Sequence, residues 1–88
     1  MSLEKINTAV ALKYSPECPA PFVLAKGKNE LAAKLVQCAE QNGILIKNHE
    51  LLANSLYMLD PGEYIPEEFY EIVAEFYRFI LEVEEDYE

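Results

Sequence analysis

The side chains able to do chemistry are few and scattered. His49 is the only histidine. Its neighbours place it in the first turn of a helix, where no Ser-His-Asp or Cys-His set assembles around it, so it reads as an exposed helix-start residue. Cys18 and Cys38 are too far apart in sequence for a redox CxxC and do not repeat as a zinc ribbon does. One falls in a turn and the other on the apolar side of a helix, and two reduced thiols are expected. No His, Cys and carboxylate group shows ligand spacing, so no metal and no cofactor are expected. Glu71 and Glu75 stand one helical turn apart, as an acid/base pair could. On a solvated face, however, they lack the burial that tunes a carboxyl for proton transfer. Lys26-Gly27-Lys28-Asn29 precedes a helix whose first amides could hold an anion. The Walker spacing is absent, and the stretch reads as a tight turn with two solvated lysines. A small anion-binding enzyme around Gly27 is the least favoured reading. The chain is expected not to be an enzyme, with no catalytic, cofactor or metal residues.

The elements that hold these residues follow from pattern. Thr8 to Tyr14 alternates, with Val10, Leu12 and Tyr14 on one side, which predicts a half-buried strand. Pro16, Pro19 and Pro21 stiffen the connection that follows. Phe22 to Ala25 is apolar throughout, as in a strand covered on both faces. Asn29 is a fitting N-cap, with Leu31, Leu35, Val36, Cys38 and Ala39 at helical spacing and Asn42-Gly43 as the exit. Ile44-Leu45-Ile46 reads as a short buried strand, making residues 22–46 a βαβ unit with parallel strands. Asn48 caps a second helix to about Leu59, with Leu52, Ser55, Leu56 and Leu59 inward, and Asp60-Pro61-Gly62 is a turn. Pro66 opens a third helix with Phe69, Ile72, Val73, Phe76, Ile80 and Val83 in one apolar stripe. Tyr77 and Phe79 lie at its margins. The expected fold is a single α/β domain over residues 1–88. Its sheet is small, mixed or mostly parallel, with about three strands packed with three helices. Residues 1–7 are expected to stand outside the ordered part, and Met1-Ser2-Leu3 carries no weight.

Eighty-eight residues make one small domain with a modest core, and an apolar fraction of 51% excludes a disordered tail. No apolar run approaches the roughly 18–20 residues of a membrane span, and no signal peptide is visible. The net charge of −9 is unevenly spread. Residues 1–48 carry six lysines and four glutamates, whereas residues 49–88 carry twelve acids and one arginine. That field repels nucleic acid and anionic lipid and suits a basic partner, although an acidic helix face is more often a solvated surface.

Several segments, in order, resemble a known family. They are the Ala9-Val10-Ala11-Leu12-Lys13-Tyr14 strand, the Ala20-Pro21 turn and the Ala25-Lys26-Gly27 helix start. Gln41-Asn42-Gly43-Ile44 and Ile65-Pro66-Glu67-Glu68 continue the series. Each is short, but their order and spacing over Thr8 to Val83 are similar to the C-terminal cytoplasmic domain of the FlhB/YscU (EscU, SpaS) export-switch proteins of flagella and type III secretion. In that family the first strand follows a self-cleaving Asn-Pro-Thr-His motif. Here Glu4, Lys5, Ile6 and Asn7 hold those four positions. A carboxylate at Glu4 replaces the attacking amide, and Lys5 lacks the tertiary amide that shapes the turn, so no cleavage is expected.

The resemblance implies a stand-alone, non-enzymatic binding module in export or substrate-specificity switching. It would be monomeric, cytoplasmic and peripheral to the inner-membrane export apparatus. Its implied partners are export-gate components, export substrates or the length-control protein. The family has a further strand before the cleavage motif, and its absence leaves Thr8, Ala9, Val10, Ala11, Leu12, Lys13 and Tyr14 as a candidate partner-binding edge. A truncated membrane-embedded homologue could donate that strand. The rival is a generic acidic cytoplasmic adaptor, unrelated to secretion, whose last helix binds a basic protein. Neither reading includes nucleic acid or a membrane span.

Overall fold

The structure is a computed structural model that describes residues 7–86, with side-chain environments described as far as Arg78. Two strands, β1 (Thr8–Lys13) and β2 (Phe22–Lys28), precede three helices, α1 (Glu30–Gln41), α2 (Glu50–Leu56) and α3 (Tyr70–Asp86). A 3₁₀ turn, Glu67–Phe69, leads into α3. The class is α/β with three helices, as expected. The sheet differs: among the described residues it has two strands, and they run antiparallel.

The hairpin is joined by the proline-rich connection. Its register pairs Val10 with Lys26 and Ala11 with Ala25, then Leu12 with Val23. Leu24 is therefore the extra residue of a β-bulge. The bulge turns it outward, and it is 56% exposed while Val23 beside it is fully buried. The expectation that Phe22 to Ala25 is covered on both faces fails at this point. A run of four apolar residues cannot reveal a bulge, because a bulge belongs to the pairing and not to either strand alone.

Ile44-Leu45-Ile46 forms no strand, and its side chains are exposed at 61%, 49% and 41%. The predicted βαβ unit and parallel crossover are thus replaced by a hairpin followed by a helix. The outer edge of β2 is met instead by the segment after Asp60-Pro61-Gly62. Gly62 N–H donates to Val23 O (2.7 Å), Val23 N–H to Glu63 O (2.9 Å) and Ile65 N–H to Pro21 O (2.9 Å). Phe22 and Tyr64 form an antiparallel bridge, with their rings edge to face at 6.3 Å. Gly62 supplies the positive φ (93°) that this turn requires.

The core lies between one sheet face and the last two helices. Leu52, Leu56, Ile65 and Val73 form its buried centre, with Val10, Leu12, Leu59, Phe69, Ile72, Phe76 and Tyr77 packed around them. The apolar stripe of α3 is therefore in place through Phe76, while the side chains of Phe79, Ile80 and Val83 lie outside the described residues. Ser55, expected inward, is exposed, because the short α2 points only Leu52 and Leu56 at the core. Helix α1 packs against both strands. Its buried residue is Ala32, whereas Leu31 and Cys38, expected inward, are exposed. A close approach to the sheet selects a small side chain at the contact.

Helix ends differ from the expected ones in instructive ways. Asn29 precedes α1 but at φ 54°, and its side chain makes no capping bond. Helix α2 is capped by His49, not Asn48, and stops at Leu56, short of Leu59. Pro66 keeps an extended backbone (ψ 155°) ahead of the 3₁₀ turn, so α3 begins at Tyr70. Gly43 takes the left-handed conformation (φ 69°) anticipated at the exit of α1.

Candidate functional site

Several of the residues singled out for chemistry have structural posts. His49 is half-buried, and its Nδ1 accepts the Leu52 N–H at 3.1 Å, so the imidazole does the work of an N-cap side chain. Its ring lies 6.2 Å from Phe76. Cys18 and Cys38 are free thiols. Cys18 sits 3.4 Å from Ser15 Oγ within the proline-rich turn. Glu71 and Glu75 are exposed. Among the described residues no group of three or more His, Cys, Asp or Glu could hold a metal ion.

The Lys26-Gly27-Lys28-Asn29 stretch is a packing device. A Cβ added at Gly27 would lie 2.7 Å from Leu31 Cγ and 3.1 Å from the Leu31 carbonyl carbon, so the missing side chain lets the first turn of α1 sit on β2. The lysines are not simply solvated. Lys26 and Lys28 each place Nζ 4.6 Å from the Tyr57 ring, and Lys26 also donates to the Tyr57 carbonyl at 2.9 Å. Asp60 stands 4.0 Å from the same ammonium. Both cations are thus committed to the end of α2, not to an anion at the start of α1. Sequence periodicity could not show this, because Tyr57 lies far from them in the chain.

The candidate edge, Thr8 to Tyr14, is strand β1 with Tyr14 just beyond it. One side of β1 pairs with β2, and the other side meets no strand among the described residues. Asn7 extends the paired side, its carbonyl accepting from Asn29 N–H at 2.9 Å. Thr8 Oγ1 donates to Asn54 Oδ1 (2.7 Å), tying the start of the strand to α2. Of the four positions aligned with a cleavage motif, Glu4, Lys5 and Ile6 lie outside the described residues.

A groove at the far end of β1 was not foreseen. It has a volume of about 430 Å³ and is lined by Tyr14, Pro21, Tyr70, Ala74, Tyr77 and Arg78, with Pro19, Ala20 and Val73 behind them. The proline-rich turn forms one wall and α3 the other. Tyr14 and Tyr77 meet with ring centroids 5.7 Å apart, tilted by 47°. Tyr14 remains 50% exposed and Tyr70 42% exposed. Burial, and secondarily the neighbouring Tyr14, push the Tyr77 hydroxyl above the ordinary tyrosine value of 10.0. The groove thus presents aromatic rings and phenol hydroxyls, that of Tyr77 held in its protonated form, beside one guanidinium. The sequence signal was the placement of Tyr77 at the margin of the α3 stripe.

Comparison with known proteins gives this geometry a family. Residues 6–80 match the FlhB HrpN YscU SpaS family. The flagellar biosynthetic protein FlhB of Aquifex aeolicus is 41% identical over 77 residues, covering 85% of this chain and 22% of that protein. An uncharacterised protein of Bacillus subtilis, YlqH, is 36% identical over 81 residues, covering 91% of this chain and 87% of the other. The fold matches a crystal structure of a substituted EscU/SpaS C-terminal domain with TM-score 0.81 and 35% identity, over 86% of this chain and 96% of that one. The chain spans about a fifth of the length of the flagellar relative, and no helix among the described residues is long and apolar enough to cross a membrane. On its sequence and on its fold, the chain belongs to the FlhB HrpN YscU SpaS family of flagellar and type III export apparatus proteins.

Proposed function

We propose that this chain is a non-enzymatic protein-binding module of the export apparatus, working on the cytoplasmic side of the inner membrane without self-cleavage. Its partners are drawn from export substrates, export-gate components or the length-control protein. One observation carries the choice among them: the tyrosine and proline groove. It is open, lined mostly by aromatic, proline and alanine side chains, and its volume of about 430 Å³ suits a short segment. Such a groove suits one or two large apolar side chains of an otherwise extended polypeptide, with Arg78 and the tyrosine hydroxyls available to its backbone or to an acid. An export substrate held unfolded for passage offers such segments, so we assign the groove to export substrates.

Absence of cleavage follows from the residues at the motif positions. Glu4 has no amide to attack its own carbonyl, and Lys5 keeps a secondary amide. Mass spectrometry of the purified protein is expected to show one intact species.

The experiment is a titration of the protein with peptides tiled along flagellar export substrates of the same organism, read by fluorescence anisotropy. Ala74→Glu places a charge in the groove at an exposed helical position and should abolish binding of whichever peptide the unsubstituted protein takes. Binding that survives Ala74→Glu removes the groove as the site.

The open edge of β1 supports a second docking mode, in which a membrane-embedded homologue contributes one strand. Among the described residues the sheet has two strands, and an edge that meets no strand is a template for a third. Backbone amide exchange at Thr8, Val10 and Leu12, whose N–H groups point away from β2, should slow in the presence of the donor-strand peptide. Unchanged exchange at saturating peptide rejects this mode. Family membership replaces the adaptor unrelated to secretion, but the acidic surface on which that idea rested is real.

A further inference from the structure

A second groove runs along the other side of α3 and shares no residue with the first. It lies open to solvent between the start of α2 and the 3₁₀ turn with the first turns of α3, and has a volume of about 490 Å³. Its floor and walls are Leu51, Leu52, Phe69 and Ile72, and it is lined by Glu68 from the 3₁₀ turn and by Glu71 and Glu75 from α3. Leu51, on the rim of this open groove, is 77% exposed. The three glutamates are exposed and make no ion pair with any described residue. They stand at steps of three and four, so each repels the next along one line.

We propose that this groove is a docking face for a cationic amphipathic helix of another protein. Leucine-type side chains of that helix would lie on Leu51, Phe69 and Ile72, and its lysines or arginines along Glu68, Glu71 and Glu75. Charge chooses the sign of the occupant: residues 49–88 hold twelve acids against one arginine. The same field excludes nucleic acid and anionic lipid, and a second copy of the chain would bring the same carboxylates to the contact. Spacing chooses the shape. Glu68 to Glu75 covers about 10 Å of axis, and its steps match cations at i, i+3 and i+7 of a helix lying alongside. Desolvation of the apolar floor and relief of the repulsion among the glutamates then act together. Helix α3 becomes a ridge between two grooves of different character, one tyrosine-lined and one acid-rimmed. This second face does not rest on the assignment of the first.

The test uses a fluorescein-labelled, 18-residue amphipathic helix of leucine and lysine, and a control peptide with glutamate for every lysine. Anisotropy is read with the intact chain, and amide shifts map the contact. The lysine peptide should bind and the glutamate peptide should not. The triple variant Glu68→Gln, Glu71→Gln, Glu75→Gln should weaken binding at least tenfold, and Leu51→Ser at least threefold. A control triple, Glu17→Gln, Glu30→Gln, Glu40→Gln, removes the same charge elsewhere and should cost less than threefold. All these side chains are exposed, and unchanged melting confirms the fold of each variant. Shifts should centre on Leu51, Ser55, Phe69 and Ile72 and persist in Ala74→Glu, which separates this face from the tyrosine groove. Equal losses in the two triples, no effect of Leu51→Ser, shifts centred on Tyr14 and Tyr77, or no binding at millimolar peptide would each overturn the proposal.

Discussion

Lys26 holds Tyr57 twice over: its ammonium donates to the Tyr57 carbonyl at 2.9 Å and lies 4.6 Å from the centre of the same ring. Lys28 approaches that ring at an equal distance. The two lysines alternate with Gly27 along β2, so they project to the same side of the strand, and the helix end they grip closes the core behind Leu56. Lys26→Met keeps the aliphatic stem and deletes the charged donor. It should destabilise the domain by about 1–2 kcal/mol, the worth of a hydrogen bond to a charged group in a partly solvated site. Lys28→Met, which loses only an exposed ring contact, should cost about 0.5–1 kcal/mol. Urea denaturation of the two variants gives the comparison, and equal losses would contradict the geometry.

Gly27→Ala tests the seat of α1. The new methyl would meet Leu31 at 2.7 Å, and the Leu31 backbone close behind prevents simple side-chain escape. Overpacking of this kind should cost about 1–3 kcal/mol, although alanine is otherwise the better strand residue. Thermal melting will read it as a lowered midpoint. A second change, Leu31→Ala, should recover part of the loss by removing Cγ, and a double variant no better than Gly27→Ala alone would show that the backbone is the true obstacle.

His49→Ala removes the acceptor at the start of α2 and should cost about 0.5–2 kcal/mol. His49→Asn or His49→Asp, whose side chains accept from the same N–H, should restore most of it. The rescue is the informative half, since a histidine kept only for packing against Phe76 would not be replaced by asparagine.

Tyr77 predicts an alkaline limit. Its folded-state pKa lies above 10.0 while the unfolded chain titrates near that value. Between the two, the unfolded state has released a proton that the folded state still binds. The stability contribution of the buried phenol is therefore complete below about pH 10 and declines as pH rises through the folded pKa. Tyr77→Phe cannot ionise and should lose less stability than the parent between neutral pH and about pH 11. Denaturation at both pH values measures it, and parallel losses would reject the assignment.

Much of the scaffold was legible because it depends on local pattern. Val10 and Leu12 declared the inward face of β1, Phe69 to Phe76 declared that of α3, and Asn42-Gly43 declared the exit of α1. The failures all needed partners distant in sequence. Ile44-Leu45-Ile46 has the composition of a strand but finds no ladder, while Gly62 to Ile65, which looks like a turn, takes hydrogen bonds along the edge of β2. The bulge at Leu24 comes from pairing, and the cap at His49 comes from a histidine acting where asparagine was expected one residue earlier. Of the candidate sites, the β1 edge was visible because alternation and prolines bound it. The tyrosine groove was visible only as the marginal position of Tyr77, since its other wall comes from residues more than fifty positions away.

The bonds from Gly62, Glu63 and Ile65 to Pro21 and Val23 also set an order of events during synthesis. A ribosome releases the hairpin and α1 before it releases Ile65, so the first half of the chain must wait with the backbone groups of Pro21 and Val23 on one rim of β2 unsatisfied. Cooperative closure comes late, when the loop ahead of α3 emerges and clips back onto residues made some forty codons earlier.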